Sequence, residues 1–188
     1  PVAALPGGKR EGSVGSGGVS LWSGQLHWFC RSGWHARLLE AKGPQWSQLG
    51  QDPRAELVKS NPVRRVYRLR TGGVDVFAKV YQPHDWGDRI KWLFRGSPGR
   101  GEFANLQIAR SRRVPVAEPL GWAQGRLDGK QLGILVTKAI EGVTSLEEQL
   151  YGHHKKLSLK DAIEATARLV AQLHCAGIEH RDLHPGNI

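Results

Sequence analysis

The string His180-Arg181-Asp182-Leu183-His184-Pro185-Gly186-Asn187 sets a carboxylate and a carboxamide in the spacing D-x-x-x-x-N. In that spacing the carboxylate can accept the proton of an acceptor hydroxyl while the amide oxygen reaches a magnesium ion. The chemistry so served is phosphoryl transfer from ATP, which asks for little covalent help from protein. It needs phosphates held, metal charge placed and a hydroxyl oriented in line. Asp182 is the expected base, Arg181 is counted with it as a catalytic-loop residue, and Asn187 is the expected metal ligand. The bland alternative has Asp182 capping a turn and Asn187 bonding backbone.

Three upstream features are in the order such a loop requires. Lys79, in Val76-Phe77-Ala78-Lys79, lies on a β-type run and would project from a sheet toward nucleotide phosphates as a point charge. Glu102, at the start of the following helical pattern, can reach across and pair with it. By itself such a Glu would merely suit a helix N-terminus. The apolar run Ile134-Leu135-Val136 leads into Thr137-Lys138-Ala139-Ile140-Glu141-Gly142, a hinge between lobes. Backbone groups of Thr137, Lys138 and Ala139 are candidates to bond the adenine edge in an apolar slot, and which of Thr137 to Ile140 does so is left open.

The elements that must position these residues follow from turn chemistry and periodicity. Residues 55–58, 63–69 and 74–81 are β-branched and aromatic runs separated by Lys59-Ser60-Asn61-Pro62 and Thr71-Gly72-Gly73, which predicts a three-stranded antiparallel meander. A polar, Trp-containing connection spans residues 82–100. One helix is predicted over 101–112, strands over 116–122 and 133–139, and a short helix over 145–150 capped by Thr144 or Ser145. Ser158 with Asp161 makes a capping box variant, opening a helix whose apolar positions Ile163, Ala167, Leu169, Val170 and Leu173 share a face and which ends near Gly177.

Residues 1–20 are rich in Gly, Ser and Pro and read as a flexible lead-in. The string Gly12-Ser13-Val14-Gly15-Ser16-Gly17-Gly18 resembles a phosphate loop, but no strand is expected before it and no helix after it, so it is set aside. Residues 21–54 form a Trp-rich extension in which Trp22, Trp28, Phe29, Trp34 and Trp46 mix with Arg31, His35 and Arg37. Such residues can stack on bases or sugars. The preferred reading is that they cover the back of a small sheet. Residues 55–141 are then the small lobe and hinge, and 142–188 the start of a second lobe.

Composition narrows the partners. Twenty-seven Lys and Arg against seventeen Asp and Glu leave a net charge of +10 in 188 residues, which favours anionic partners. Two widely spaced cysteines, Cys30 and Cys175, indicate neither a disulfide framework nor a metal finger, and a reduced cytoplasmic setting is expected. No run approaches the length of a membrane span. The chain has no Met and stops at Ile188 directly after a motif, so it reads as a fragment at both ends.

These residues resemble the protein-kinase-like superfamily, and Asp182-Leu183-His184-Pro185-Gly186-Asn187 is closer to its small-molecule and atypical branches than to eukaryotic protein kinases. Within them the chain is similar to the bacterial lipopolysaccharide kinase family, which phosphorylates Kdo or heptose of the inner core. That likeness is carried by Arg64-Arg65-Val66-Tyr67-Arg68-Leu69, Phe77-Ala78-Lys79-Val80-Tyr81, Trp92-Leu93-Phe94-Arg95-Gly96-Ser97 leading to Glu102-Phe103-Ala104-Asn105-Leu106, and Val114-Pro115-Val116-Ala117-Glu118-Pro119-Leu120. It covers about residues 57–188.

The resemblance implies an α+β, protein-kinase-like fold: an antiparallel sheet with one main helix, then the beginning of a helical, truncated lobe. It implies ATP and Mg2+ as cofactors, an acidic glycolipid acceptor, and a cytoplasmic enzyme that can contact the inner membrane peripherally, a setting that suits the positive charge. The sequence departs from the superfamily in lacking a G-x-G-x-x-G loop between the first two strands of the meander. Lys59-Ser60-Asn61-Pro62 stands there, with Lys59 or Arg64 available to lend charge. A second metal-binding Asp is expected after Ile188, so the fragment alone should be inactive. The rivals are an aminoglycoside- or choline-type small-molecule kinase, an atypical serine/threonine kinase and a non-catalytic kinase-like scaffold. Nucleic acid is not an expected partner, because no recognised nucleic-acid motif accompanies the charge.

Overall fold

The computed structural model of the chain describes residues 11–15, 17–39, 43–71, 73–140, 142, 145–152, 157–179 and 183–187. It divides into two units, residues 1–105 with 118–139, and residues 106–117 with 140–188.

The first unit is built on an eight-stranded sheet. Its strands are β1 (Glu11–Gly15), β2 (Gly18–Ser23), β3 (Leu26–Arg31), β4 (Ala55–Ser60), β5 (Arg64–Thr71), β6 (Val74–Tyr81), β7 (Pro119–Leu127) and β8 (Lys130–Lys138). The order is β1-β2-β3-β7-β8-β6-β5-β4, antiparallel at every pairing. The predicted meander is β4-β5-β6. Its first turn is closed by Asn61, whose Oδ1 accepts from the N–H groups of Val63 at 3.1 Å and Arg64 at 2.7 Å. The backbone closes the same turn, the Asn61 N–H donating to the Arg64 carbonyl at 2.8 Å and the Arg64 N–H to the Asn61 carbonyl at 3.4 Å, so side chain and main chain hold it together without a run of glycines.

Two expectations are corrected in this unit. The lead-in does not extend to Ser20, because Glu11–Gly15 and Gly18–Ser23 are strands, and the sheet continues through β3 onto β7. Alternation explains why the Trp-rich segment joins the sheet. Along β3, Leu26, Trp28 and Cys30 are buried while His27, Phe29 and Arg31 face the other side. The second correction concerns residues 82–100, which are not a plain connection. They contain helix α2 (Trp86–Arg95), following the short α1 (His35–Leu38). Asp85 caps α2 by accepting from the Asp88 N–H at 2.8 Å, and Gly96, at φ 75°, ends it.

The sheet buries one face against the segment from α1 to the 3-10 turn Trp46–Gln51. Trp28 is wholly buried there, edge-on to Trp46 at 5.1 Å between ring centroids, and Trp46 Nε1 donates to the Leu38 carbonyl at 2.7 Å. Trp28 and Trp46 therefore belong to the core, as the covering role foresaw, and not to a stacking surface. Trp22 stays half exposed. Trp28→Ala should cost about 3–5 kcal/mol in urea unfolding, whereas Trp22→Ala should stay within about 0.5 kcal/mol of wild type. Burial in the same core pushes the Cys30 thiol up to about 12, which leaves it unreactive.

The other face carries the start of α3 (Pro98–Ser111), three residues earlier than predicted. Gly99 and Gly133 mark the contact. A Cβ on Gly99 would meet the Ile134 carbonyl oxygen at 3.0 Å, and one on Gly133 would meet Ser97 Cβ at 2.7 Å. Phe103 packs edge-on against Phe29 at 5.5 Å.

The second unit holds the end of α3, α4 (Leu146–Tyr151), α5 (Leu159–Cys175) and a 3-10 turn at Pro185–Asn187. Ser145 caps α4, accepting from the Glu148 N–H at 3.2 Å. Ser158 caps α5 as predicted, accepting from the Asp161 N–H at 3.1 Å and donating to its carboxylate at 2.7 Å. The predicted apolar face of α5 is shifted. Ala162 and Leu173 are buried and Leu169 partly so, while Ile163 and Ala167 are exposed. The small core at Ala109 and Val114 receives Leu173, and that contact fixes which side of the helix turns inward.

Candidate active site

β6 is the strand that aims the chemistry. Its alternation sends Val76 and Ala78 into the core, while Lys79 and Tyr81, the latter two residues on, point to the face that carries α3. The close contact at Gly99 and Gly133 brings the first turns of α3 down on that face. There Lys79 Nζ donates to Glu102 Oε1 and Tyr81 Oη donates to Glu102 Oε2. The expected lysine–glutamate pair is formed, and both side chains are about one-quarter to one-third exposed, at 27% and 31%.

Tyr81, in sequence only the last residue of a β-type run, is a member of this constellation. Burial, and then the Glu102 carboxylate, raise its phenol well above the ordinary tyrosine value, while Arg64, opposite it in the β5–β6 ladder, opposes the rise. Tyr81 is thus a permanent hydrogen-bond donor at physiological pH. It holds one carboxylate oxygen and leaves the other for Lys79. The available signal was spacing: in a strand, i and i+2 share a face, and Tyr81 is two residues from Lys79. Tyr81→Phe should lower the free energy of urea unfolding by about 1 kcal/mol, the net worth of one hydrogen bond.

At the end of β8, Thr137 is buried, Lys138 exposed and Ala139 buried. The Lys138 N–H donates to the Glu118 carbonyl at 2.8 Å, and the Ala139 N–H donates to the Asp75 carbonyl at 2.9 Å. Arg31 holds Glu118 from the side, with Nη1 2.5 Å from its carboxylate. These two N–H groups are therefore already committed within the first unit.

His180, Arg181 and Asp182 lie outside the described residues. Of the loop that follows, His184 Nδ1 accepts from the Gly186 N–H at 3.1 Å, and the backbone of Pro185–Asn187 forms one 3-10 turn. The Glu147 carboxylate of α4 lies beside this turn; a Cβ on Gly186 would come within 2.6 Å of its Oε2. Among the described residues no group of three or more His, Cys, Asp or Glu side chains is placed to hold a metal ion. Asn187 is the one metal ligand expected in this part of the chain.

An antiparallel sheet with one helix laid across it, and a strand lysine paired to a glutamate in that helix's second turn, is the small lobe of a protein-kinase-like fold. A family model for the lipopolysaccharide kinase (Kdo/WaaP) family matches residues 52–188, and the chain belongs to that family. Curated relatives include the 3-deoxy-D-manno-octulosonic acid kinase of Xanthomonas axonopodis pv. citri (strain 306), 32% identical over 104 residues that make up 53% of this chain and 40% of the relative. The enzyme of the same name from Stenotrophomonas maltophilia (strain K279a) is 30% identical over 101 residues, 52% of this chain and 39% of the relative. The chain thus matches about 40% of the length of these relatives. Among solved structures, WaaP in complex with acyl carrier protein is similar over 78% of this chain and 56% of that chain, at 14% identity and a TM-score of 0.49.

Proposed function

We propose that the chain is part of an ATP-dependent kinase that phosphorylates a sugar hydroxyl of the lipopolysaccharide inner core, Kdo or heptose. The observation that carries this reading is the Lys79–Glu102 pair, formed within a sequence that matches the lipopolysaccharide kinase family from residue 52 to the end of the catalytic string. Curated relatives named as Kdo kinases support the sugar class.

In this reading Lys79, held by Glu102 and Tyr81, binds the phosphates of ATP, and Arg64 adds charge on the same side of the sheet. The carbonyls at the end of β8 meet the adenine edge. Asp182 orients the acceptor hydroxyl and takes its proton as the oxygen attacks the γ-phosphorus in line, while the bond to the β,γ-bridging oxygen breaks. Asn187 is one ligand of Mg2+, which, when bound, neutralises charge on the phosphates. Such an acceptor is anionic, and the chain's charge of +10 suits it.

The test is transfer of labelled phosphate from ATP by the full-length protein to Kdo-containing lipid A, to an aminoglycoside and to casein. Transfer to the lipid alone is expected. Preferential labelling of either other acceptor would replace this reading with one of its rivals. ATP binding without transfer to any acceptor would favour a scaffold.

A further inference from the structure

Among the described residues nothing covers the apolar face of helix α2. Trp86, Ile90, Leu93 and Phe94 are all exposed, Trp86 at 75% and Phe94 at 86%, and none of the ten residues of the helix is fully buried. At the rotation of an α-helix these four side chains fall within an arc of about 100°. Trp92 lies on the opposite side and meets the sheet, its ring 3.4 Å from where a Cβ on Gly133 would sit. The apolar stripe is therefore the outward face of a helix anchored from behind.

On the helix and its cap three cations, Arg89, Lys91 and Arg95, outnumber two carboxylates, Asp85 and Asp88. Arg89 lies over the Trp86 ring at 5.1 Å, Lys91 reaches Asp88 at 3.4 Å, and Arg95 ends the helix. The stripe also continues past the helix. Leu93 shares a cavity of about 470 Å³ with Trp22, Trp92, Leu132 and Arg126, and Trp22 on β2 is itself half exposed.

From this geometry we propose that α2 and Trp22 form a docking face for a membrane surface containing anionic lipid. Trp, Phe, Leu and Ile on one side of a short helix, with Arg and Lys at its borders, suit the boundary between headgroups and acyl chains. The borders supply attraction to anionic headgroups and the stripe supplies apolar burial. At roughly 15 Å, α2 is half the thickness of a hydrocarbon core, so it lies in the interface. No helix among the described residues is long and apolar enough to cross a membrane. A second copy of the chain is disfavoured as occupant because each brings a charge of +10. The proposal rests on the kinase reading only in that a glycolipid acceptor would lie in the same membrane.

The experiment is flotation of the full-length protein with vesicles of phosphatidylcholine, with and without phosphatidylglycerol. Binding is expected with the anionic vesicles and should weaken as salt rises. The double variant Leu93→Glu/Phe94→Glu changes only exposed positions, so its melting temperature should match wild type while vesicle binding falls at least about tenfold. Equal binding by this variant and wild type, or no binding by wild type, overturns the proposal. So does a dimer, or a complex with an acidic protein, that the same double variant disperses while vesicle binding persists. Phosphoryl transfer to a soluble Kdo acceptor is measured in parallel. It should be unchanged in the variant, and its absence from wild type beside intact flotation would refute the kinase reading and leave the docking face standing.

Discussion

Asp182→Ala should lower the rate of phosphoryl transfer by about 10²- to 10⁴-fold, the range that a positioned general base contributes. The loss should fall on kcat and kcat/KM together, because in the proposed mechanism the carboxylate acts on the proton of the acceptor hydroxyl as the bond to phosphorus forms. ATP affinity, which the proposed mechanism assigns to β6 and the end of β8, should change little. Single-turnover transfer to Kdo-containing lipid A, with ATP binding measured separately, checks both parts. A variant that transfers phosphate at the wild-type rate would remove Asp182 from the mechanism and reduce the loop to a structural turn.

The second large effect is expected at Lys79. Lys79→Met should reduce kcat/KM for ATP by about 10²- to 10³-fold, comparable with the loss of one preorganised hydrogen-bond donor in other active sites. The change should spare the fold. The pair is partly exposed, and ion pairs of that kind contribute about 0–1 kcal/mol. Glu102 would also keep its bond from Tyr81. Thermal unfolding should therefore barely move while activity collapses. Glu102→Gln removes the tether and not the charge that meets the phosphates, so it should cost less. A Lys79→Met/Glu102→Gln double variant should be no worse than Lys79→Met alone, because the two residues act as a unit. A double variant showing the product of the two single losses would mean that Glu102 has a role of its own.

Residues with a strong local or periodic signal were legible in the sequence. The meander was visible because each β-type run is bounded by a turn with its own chemistry, and Asn61 closes the first turn through its side chain. Ser158 and Asp161 announce the start of α5 within four residues, and the bonds between them form as the spacing requires. Helix α2 was equally writable in advance: Asp85 as cap, Trp86, Ile90, Leu93 and Phe94 at helical spacing, and Gly96 as stop. Its mixed aromatic and charged composition reads locally as connecting chain, because most of its residues are exposed and no buried apolar stripe marks a core face. Strands β1 and β2 were masked by the Gly and Ser content of their segment, which is weak local evidence for a strand. Their place is fixed by pairing with β3, a non-local fact.

The amino-acid sequence by itself determined the types and order of the groups available for chemistry: a strand lysine, a helix glutamate, an apolar strand, and a loop with Asp182 and Asn187 at fixed spacing. It did so because covalent spacing and strand alternation are local properties. Tertiary structure alone decided that Tyr81 shares Glu102 with Lys79, that the N–H groups of Lys138 and Ala139 are used within the lobe, and that Phe94 faces outward while Trp28 is buried. Each of these depends on which residues far away in the chain come to lie opposite. For the Lys79–Glu102–Tyr81 cluster that is settled by the close approach of α3 to β8 at Gly99 and Gly133.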